Sequence, residues 1–133
     1  QMLCFSRMDL FFVFNFHFAN SLEHVLIPVC PEVLGGLPTP RVPAERIGEK
    51  VITKDGRDVT ENYQRGAEEA LRLARMAGCT HALLKERSPS CGCGMIYDGS
   101  FSGKLIPGSG VLAQALKDAG YQVIDAEDIK AGV

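Results

Sequence analysis

A chain of 133 residues, 46% hydrophobic and 23% charged, falls in the common size range of one domain, so one globular core is expected, not two. Its 14 Lys and Arg against 16 Asp and Glu leave a formal charge of -2, which gives no electrostatic footprint for a nucleic-acid polymer or an anionic membrane surface. Five cysteines, at positions 4, 30, 79, 91 and 93, do not read as a secreted disulfide framework; the expectation is a reducing, cytoplasmic compartment in which thiols serve metal binding or thiolate chemistry.

Leu10–Phe18, rich in Phe and Val, reads as a buried strand, although periodicity alone does not separate so short an apolar run from a helix. The stretch from Leu10 to Ala19 is interrupted by Asn15 and His17 and is too short to cross a bilayer as a helix, so no membrane partner is expected. Arg7 ahead of it gives a faint likeness to the apolar part of a secretory signal, but no small-x-small cleavage site follows cleanly. His24–Val29 is a second apolar run. Pro31 stops it, because proline donates no ladder hydrogen bond and biases the preceding residue toward extended backbone, so Cys30 should stand at a strand end. From Gly35 to Pro43 the chain carries two glycines and three prolines, the mark of an irregular loop.

Val51–Thr53 reads as a short strand and Lys54-Asp55-Gly56 as the tight turn after it. Asp58 with Glu61 is a capping pair for a helix whose one face carries Tyr63, Ala67, Ala70, Leu71, Ala74 and Ala77 and which Gly78 ends. His81–Lys85 then reads as a core strand, Val111–Ala119 as a second helix closed by Gly120, and Tyr121–Ile124 as a last strand. Helices alternating with short apolar strands predict an α/β fold, a Rossmann-like three-layer sandwich with a mostly parallel sheet. In such sheets ligands bind beyond the carboxyl ends of the strands, where Cys30 and the loop after Lys85 belong.

That loop, Glu86 to Gly94, gathers two hydroxyls, two thiols and two glycines within nine residues. Glycines let backbone approach a cluster or anion closely, and unpaired N–H groups would stabilise negative charge on sulfur. The plainer reading is a tight surface turn with buried, inert cysteines. Cys30-Pro31-Glu32 offers a thiol and a carboxylate two residues apart, against which stands a core cysteine beside a solvated loop charge. Gly108-Ser109-Gly110 could dock an anion at the second helix, but neither the Walker A nor the dinucleotide spacing is present, and an ordinary helix start is the better account. His17, His24 and His81 lack metal-ligand spacing and read as structural, as does Cys79 after the helix-ending Gly78.

Several segments taken together resemble the thiouracil desulfidase family. They are Leu26 to Val33, Gly35 to Arg41, Ile52 to Gly56, Asp58 to Thr60, Lys85 to Gly92 and Ile96 to Gly103, so the likeness covers roughly residues 24 to 127 in order. On that basis residues 1–23 form an atypical N-terminal segment and residues 24–133 a desulfidase-like α/β domain. The resemblance implies a 4Fe-4S cluster held by three cysteines, with one iron open to the sulfur of a thiolated nucleobase such as 2-thiouracil or a similar small thiocarbonyl compound. It makes Cys30 and Cys91 cluster ligands, Glu32 the proton donor or acceptor, and Ser88 the residue that positions substrate or water. The desulfuration it implies is non-redox. The family's opening motifs, Ala-Cys-Leu-Leu-Gly and Arg-Tyr-Asp-Gly, do not occur in residues 1–23, where Cys4, flanked by Leu3 and Phe5, is the cysteine left to act as third ligand; Cys93 is the substitute.

Two other function classes compete. One is a cluster-free small-molecule or metal-binding domain that keeps the fold without turnover. The other is a thiol enzyme using Cys91 as nucleophile, for which the sequence offers no identifiable His partner.

Overall fold

The computed structural model describes residues 10–18 and 21–126. Its elements run β1 (Leu10–Phe18), β2 (Ser21–Val29), α1 (Pro31–Leu34), β3 (Ala44–Ile47), β4 (Lys50–Thr53), α2 (Thr60–Ala77), β5 (His81–Leu84), β6 (Met95–Tyr97), β7 (Leu105–Pro107), α3 (Val111–Asp118) and β8 (Gln122–Asp125). No helix among the described residues is long and apolar enough to cross a membrane.

The main sheet has the order β2-β1-β5-β8, and β1, from the segment that the sequence sets apart, is hydrogen-bonded between β2 and β5. β1 runs antiparallel to both neighbours, and β5 pairs in parallel with β8. The domain is therefore mixed α/β. In place of the mostly parallel sheet expected of a Rossmann-like three-layer sandwich, one pairing of this sheet is parallel. The cause is a chain-length constraint: Phe18 opposes Ser21, and two intervening residues can join only antiparallel strands, since a parallel crossover needs a dozen or more. β5 and β8 satisfy that requirement through the long loop and α3 between them. Two small antiparallel ribbons, β3-β4 and β6-β7, complete the fold.

α2 forms where the sequence predicts it because Tyr63, Ala67, Ala70 and Ala74 recur at helical spacing and are all buried. Asp58 Oδ1 accepts the Thr60 N–H at 2.9 Å at its start, and left-handed Gly78 closes it, with the Cys79 N–H reaching Ala74 O at 3.0 Å. Leu112, Ala113 and Leu116 of α3, Ala82 and Leu84 of β5 and the alanines of α2 share one buried cluster with Val29, Cys79 and Cys91. Cys79 is thus the packing residue expected, and burial pushes its thiol pKa up.

Two glycine contacts bring the site segments into place. A Cβ on Gly66 would lie 1.9 Å from Pro31 O, and one on Gly35 would lie 1.9 Å from Asn62 O, so α1 rests on α2 backbone to backbone. A Cβ on Gly110 would lie 2.3 Å from the carbonyl of Ser90, which presses the loop after β5 onto the start of α3.

Candidate active site

β2 ends at Val29, and Cys30, with extended backbone, begins the single turn of α1 that carries Glu32. Glu32 is 6% exposed, an uncommon state for a carboxylate unless it is paired. Its partner is Arg41: the guanidinium forms an ion pair with the Glu32 carboxylate and also donates from Nη2 to Cys30 Sγ at 3.7 Å. Arg41 is in turn tethered through Nη1 to Thr39 Oγ1 at 3.2 Å and Pro38 O at 3.3 Å. The loop predicted as irregular thus folds back on the strand end.

The second wall is the loop after β5. Ser88 Oγ accepts the N–H groups of Ser90 at 3.1 Å and Cys91 at 3.2 Å, and Gly92 N–H reaches Ser88 O at 2.9 Å. Both acceptor positions of that hydroxyl are engaged, so its proton is the part left to donate. The carbonyls of Pro89 and Ser90 accept the N–H groups of Val111, Leu112 and Ala113, so the first turn of α3 is spent on the loop and not on an external anion. Glu86 gathers the loop from its other end, its Oε1 accepting from Arg87 N at 3.1 Å, Met95 N at 3.3 Å and Gly94 N at 3.4 Å. Burial alone would raise the Glu86 pKa, but these N–H groups and a hydrogen bond with Asp125 hold it below its ordinary value. Arg87, next to Ser88, sits at φ 72°, a left-handed backbone that a non-glycine residue adopts only where surrounding structure holds it there.

Between these walls lies a cavity of about 660 Å³, within the usual range for small-molecule sites. Glu32, Arg41, Lys85, Arg87, Ser88 and Tyr97 line it, with both signs of charge facing the same space. The cavity brings Glu32 and Ser88 together from segments 56 positions apart. Glu45 of β3 also borders it, and its buried carboxylate accepts from Gly99 N at 2.9 Å and Phe101 N at 3.0 Å, tying the loop after β6 to the rim.

Cys30 is half-buried at the strand end, Cys91 is fully buried in the core cluster that also holds Val29, and neither lines this cavity. Cys4 lies outside the described residues. Cys93 turns elsewhere: its thiol approaches Glu86 Oε2 at 3.8 Å, and burial, followed by the carboxylates of Glu86 and Asp125, pushes its pKa up to about 11. Among the described residues no group of three His, Cys, Asp or Glu side chains is gathered to hold a metal ion. The donors that are described suit a soft, sulfur-rich anionic group: two thiols at the strand end and loop, Arg41 N–H beside one, and, next to the other, the buried Ser90 hydroxyl, whose oxygen has no hydrogen-bond partner. The side chains of His17 and His24 are outside the described residues, while His81 Nδ1 pairs with Thr80 Oγ1 at 2.6 Å, a local contact.

Arg41, Glu45, Lys85, Glu86 and Tyr97 are site residues that the residue pattern alone did not single out. Each stands among loop or strand residues whose pattern carries no periodic signal; a positive φ at Arg87 and a buried Glu45 become visible only in three dimensions.

A family model described as 2-thiouracil desulfurase matches residues 13–128. The Bacillus subtilis (strain 168) protein YbbK, described as uncharacterized, is 48% identical over 117 residues, which span 80% of this chain and 78% of that protein. Among solved structures, a [4Fe-4S]-dependent thiouracil desulfidase, TudS, superposes with a TM-score of 0.74 at 51% identity, covering 77% of this chain and 68% of that one.

Proposed function

Because the chain belongs to the 2-thiouracil desulfurase family, we propose that it is an iron-sulfur-dependent desulfidase that removes sulfur from thiolated nucleobases such as 2-thiouracil, or from similar small thiocarbonyl compounds. The observation that carries this is 51% identity, over 77% of the chain, to a [4Fe-4S]-dependent thiouracil desulfidase of the same fold. Cys30, Cys91 and Cys4 would hold the 4Fe-4S cluster. When bound, that group supplies an iron without a protein ligand, a Lewis acid with affinity for soft sulfur.

The overall reaction balances without electrons: a C=S group and water give a C=O group and hydrogen sulfide. Water must lose two protons as its oxygen enters the substrate, and the departing sulfur must gain them. Glu32 is the group for this traffic. Its carboxylate takes a proton from water at the cavity wall, and Arg41 holds the largely buried carboxylate in place. Ser88, with both lone pairs occupied by backbone N–H groups, donates its hydroxyl proton toward a substrate oxygen or nitrogen and so orients the ring. Lys85 and Arg87 add positive charge that favours a thiolate-like substrate form.

Anaerobically purified protein is expected to be brown, with about four irons per chain as a 4Fe-4S cluster requires, and to release sulfide from 2-thiouracil. Cys91→Ser removes both the iron and the activity. Glu32→Gln keeps the iron and slows turnover by roughly 100-fold or more, the usual contribution of a positioned acid or base. Full activity in Glu32→Gln would refute its role, and a colourless protein after reconstitution would favour a cluster-free binding domain.

A further inference from the structure

We propose that Arg41 is the positioning residue of the site: one guanidinium spans the Glu32 carboxylate and the Cys30 sulfur and thereby fixes the proton carrier relative to the strand-end thiol. This rests on the desulfidase reading and adds a residue to it.

The geometry carries the inference. Glu32 is 7% exposed at its side chain and Arg41 22%, so the ion pair, made from Nη2 to Oε2, is largely shielded from water, where a charge-assisted N–H bond to a carboxylate is strong. The same Nη2 that donates to Cys30 Sγ at 3.7 Å takes part in the ion pair, so the two acceptors cannot move independently. Nη1 is held by Thr39 Oγ1 at 3.2 Å and Pro38 O at 3.3 Å, which stops the guanidinium from rotating about its plane. A residue needed only for charge would not require two tethers of its own. Lysine, a point charge on a flexible stem, cannot reproduce the set.

The test compares wild type, R41Q, R41K, E32Q and the R41Q/E32Q double variant, all purified and assayed anaerobically. R41Q is expected to retain wild-type iron and to lose roughly 100-fold in kcat with a smaller change in KM, as displacement of a reacting group by about 1 Å does. R41K should recover only a minor part. Because Arg41 acts through Glu32, the double variant should be no slower than E32Q. Losses that multiply would overturn the proposal by giving Arg41 an action of its own, as would full rescue by R41K. The readout independent of turnover is the crystal structure of purified R41Q, in which the Glu32 carboxylate should leave its wild-type orientation; an unmoved Glu32 overturns the proposal. Should R41Q not fold, R41K is read the same way. Absence of sulfide release from iron-loaded wild type would refute the desulfidase reading, while the Glu32 orientation would still decide the role of Arg41.

Discussion

At the scale of single residues, Ser88 and Glu86 hold the loop after β5 together through the backbone N–H groups they accept. Ser88 spends its lone pairs on the Ser90 and Cys91 amides and keeps one proton; Glu86 spends Oε1 on three amides of its own loop. Glu86→Gln removes the charge that strengthens those bonds, and with solvent screening at this half-buried position a loss of about 1 kcal/mol is expected in denaturant unfolding. The sign with pH follows from its depressed folded-state pKa. The unfolded chain binds that proton more readily, so the Glu86 contribution is present above its ordinary value of 4.5 and fades as pH falls through the lower folded value. Between pH 5 and 3, wild type should therefore lose stability more steeply than Glu86→Gln. Parallel curves would contradict the assignment. Glu32 and Ser88, which line the cavity, stand in segments that the sequence marks out because thiols, hydroxyls and a carboxylate gather beside proline and glycine there. Arg41 does not. A guanidinium in a proline-rich loop looks like any solvated charge until the loop's return path places it on Glu32.

At the scale of elements, glycine positions decide how the two halves of the site meet. Gly66 is in the interior of α2, where glycine costs roughly 1 kcal/mol relative to alanine in intrinsic helix propensity, yet Ala would drive its Cβ against Pro31 O. Gly66→Ala is accordingly expected to destabilise by about 2 kcal/mol or more despite better propensity, and Gly110→Ala likewise through Ser90, as overpacked contacts with backbone do. A raised melting temperature in Gly66→Ala would contradict that packing. Helices and their stops were readable because α2 and α3 have clear periodicity and end near Gly78 and Gly120. The ribbons were not: β3, β6 and β7 are three or four residues long, too short for an alternation to show, and β3 buries a glutamate where a hydrophobe would have marked it.

At the scale of the whole molecule, an expected parallel sheet became a mixed one because sequence periodicity reports strands but not their partners. The direction of β1 follows from its two-residue link to β2, and its pairing with β5 is non-local. The parallel β5–β8 pair and the loop between them are the part of the expected architecture that builds the site, and the Glu86 and Ser88 walls belong to it. The cavity lined by Glu32, Arg41 and Ser88 joins segments that only the closed fold brings together. Its purpose in the proposed reaction is tested most directly by anaerobic turnover of 2-thiouracil with the iron-loaded protein, quantifying uracil and sulfide together. One sulfide for each uracil formed, with no added oxidant or reductant and no product after iron removal, is the expected result; iron-loaded protein that forms neither would contradict it.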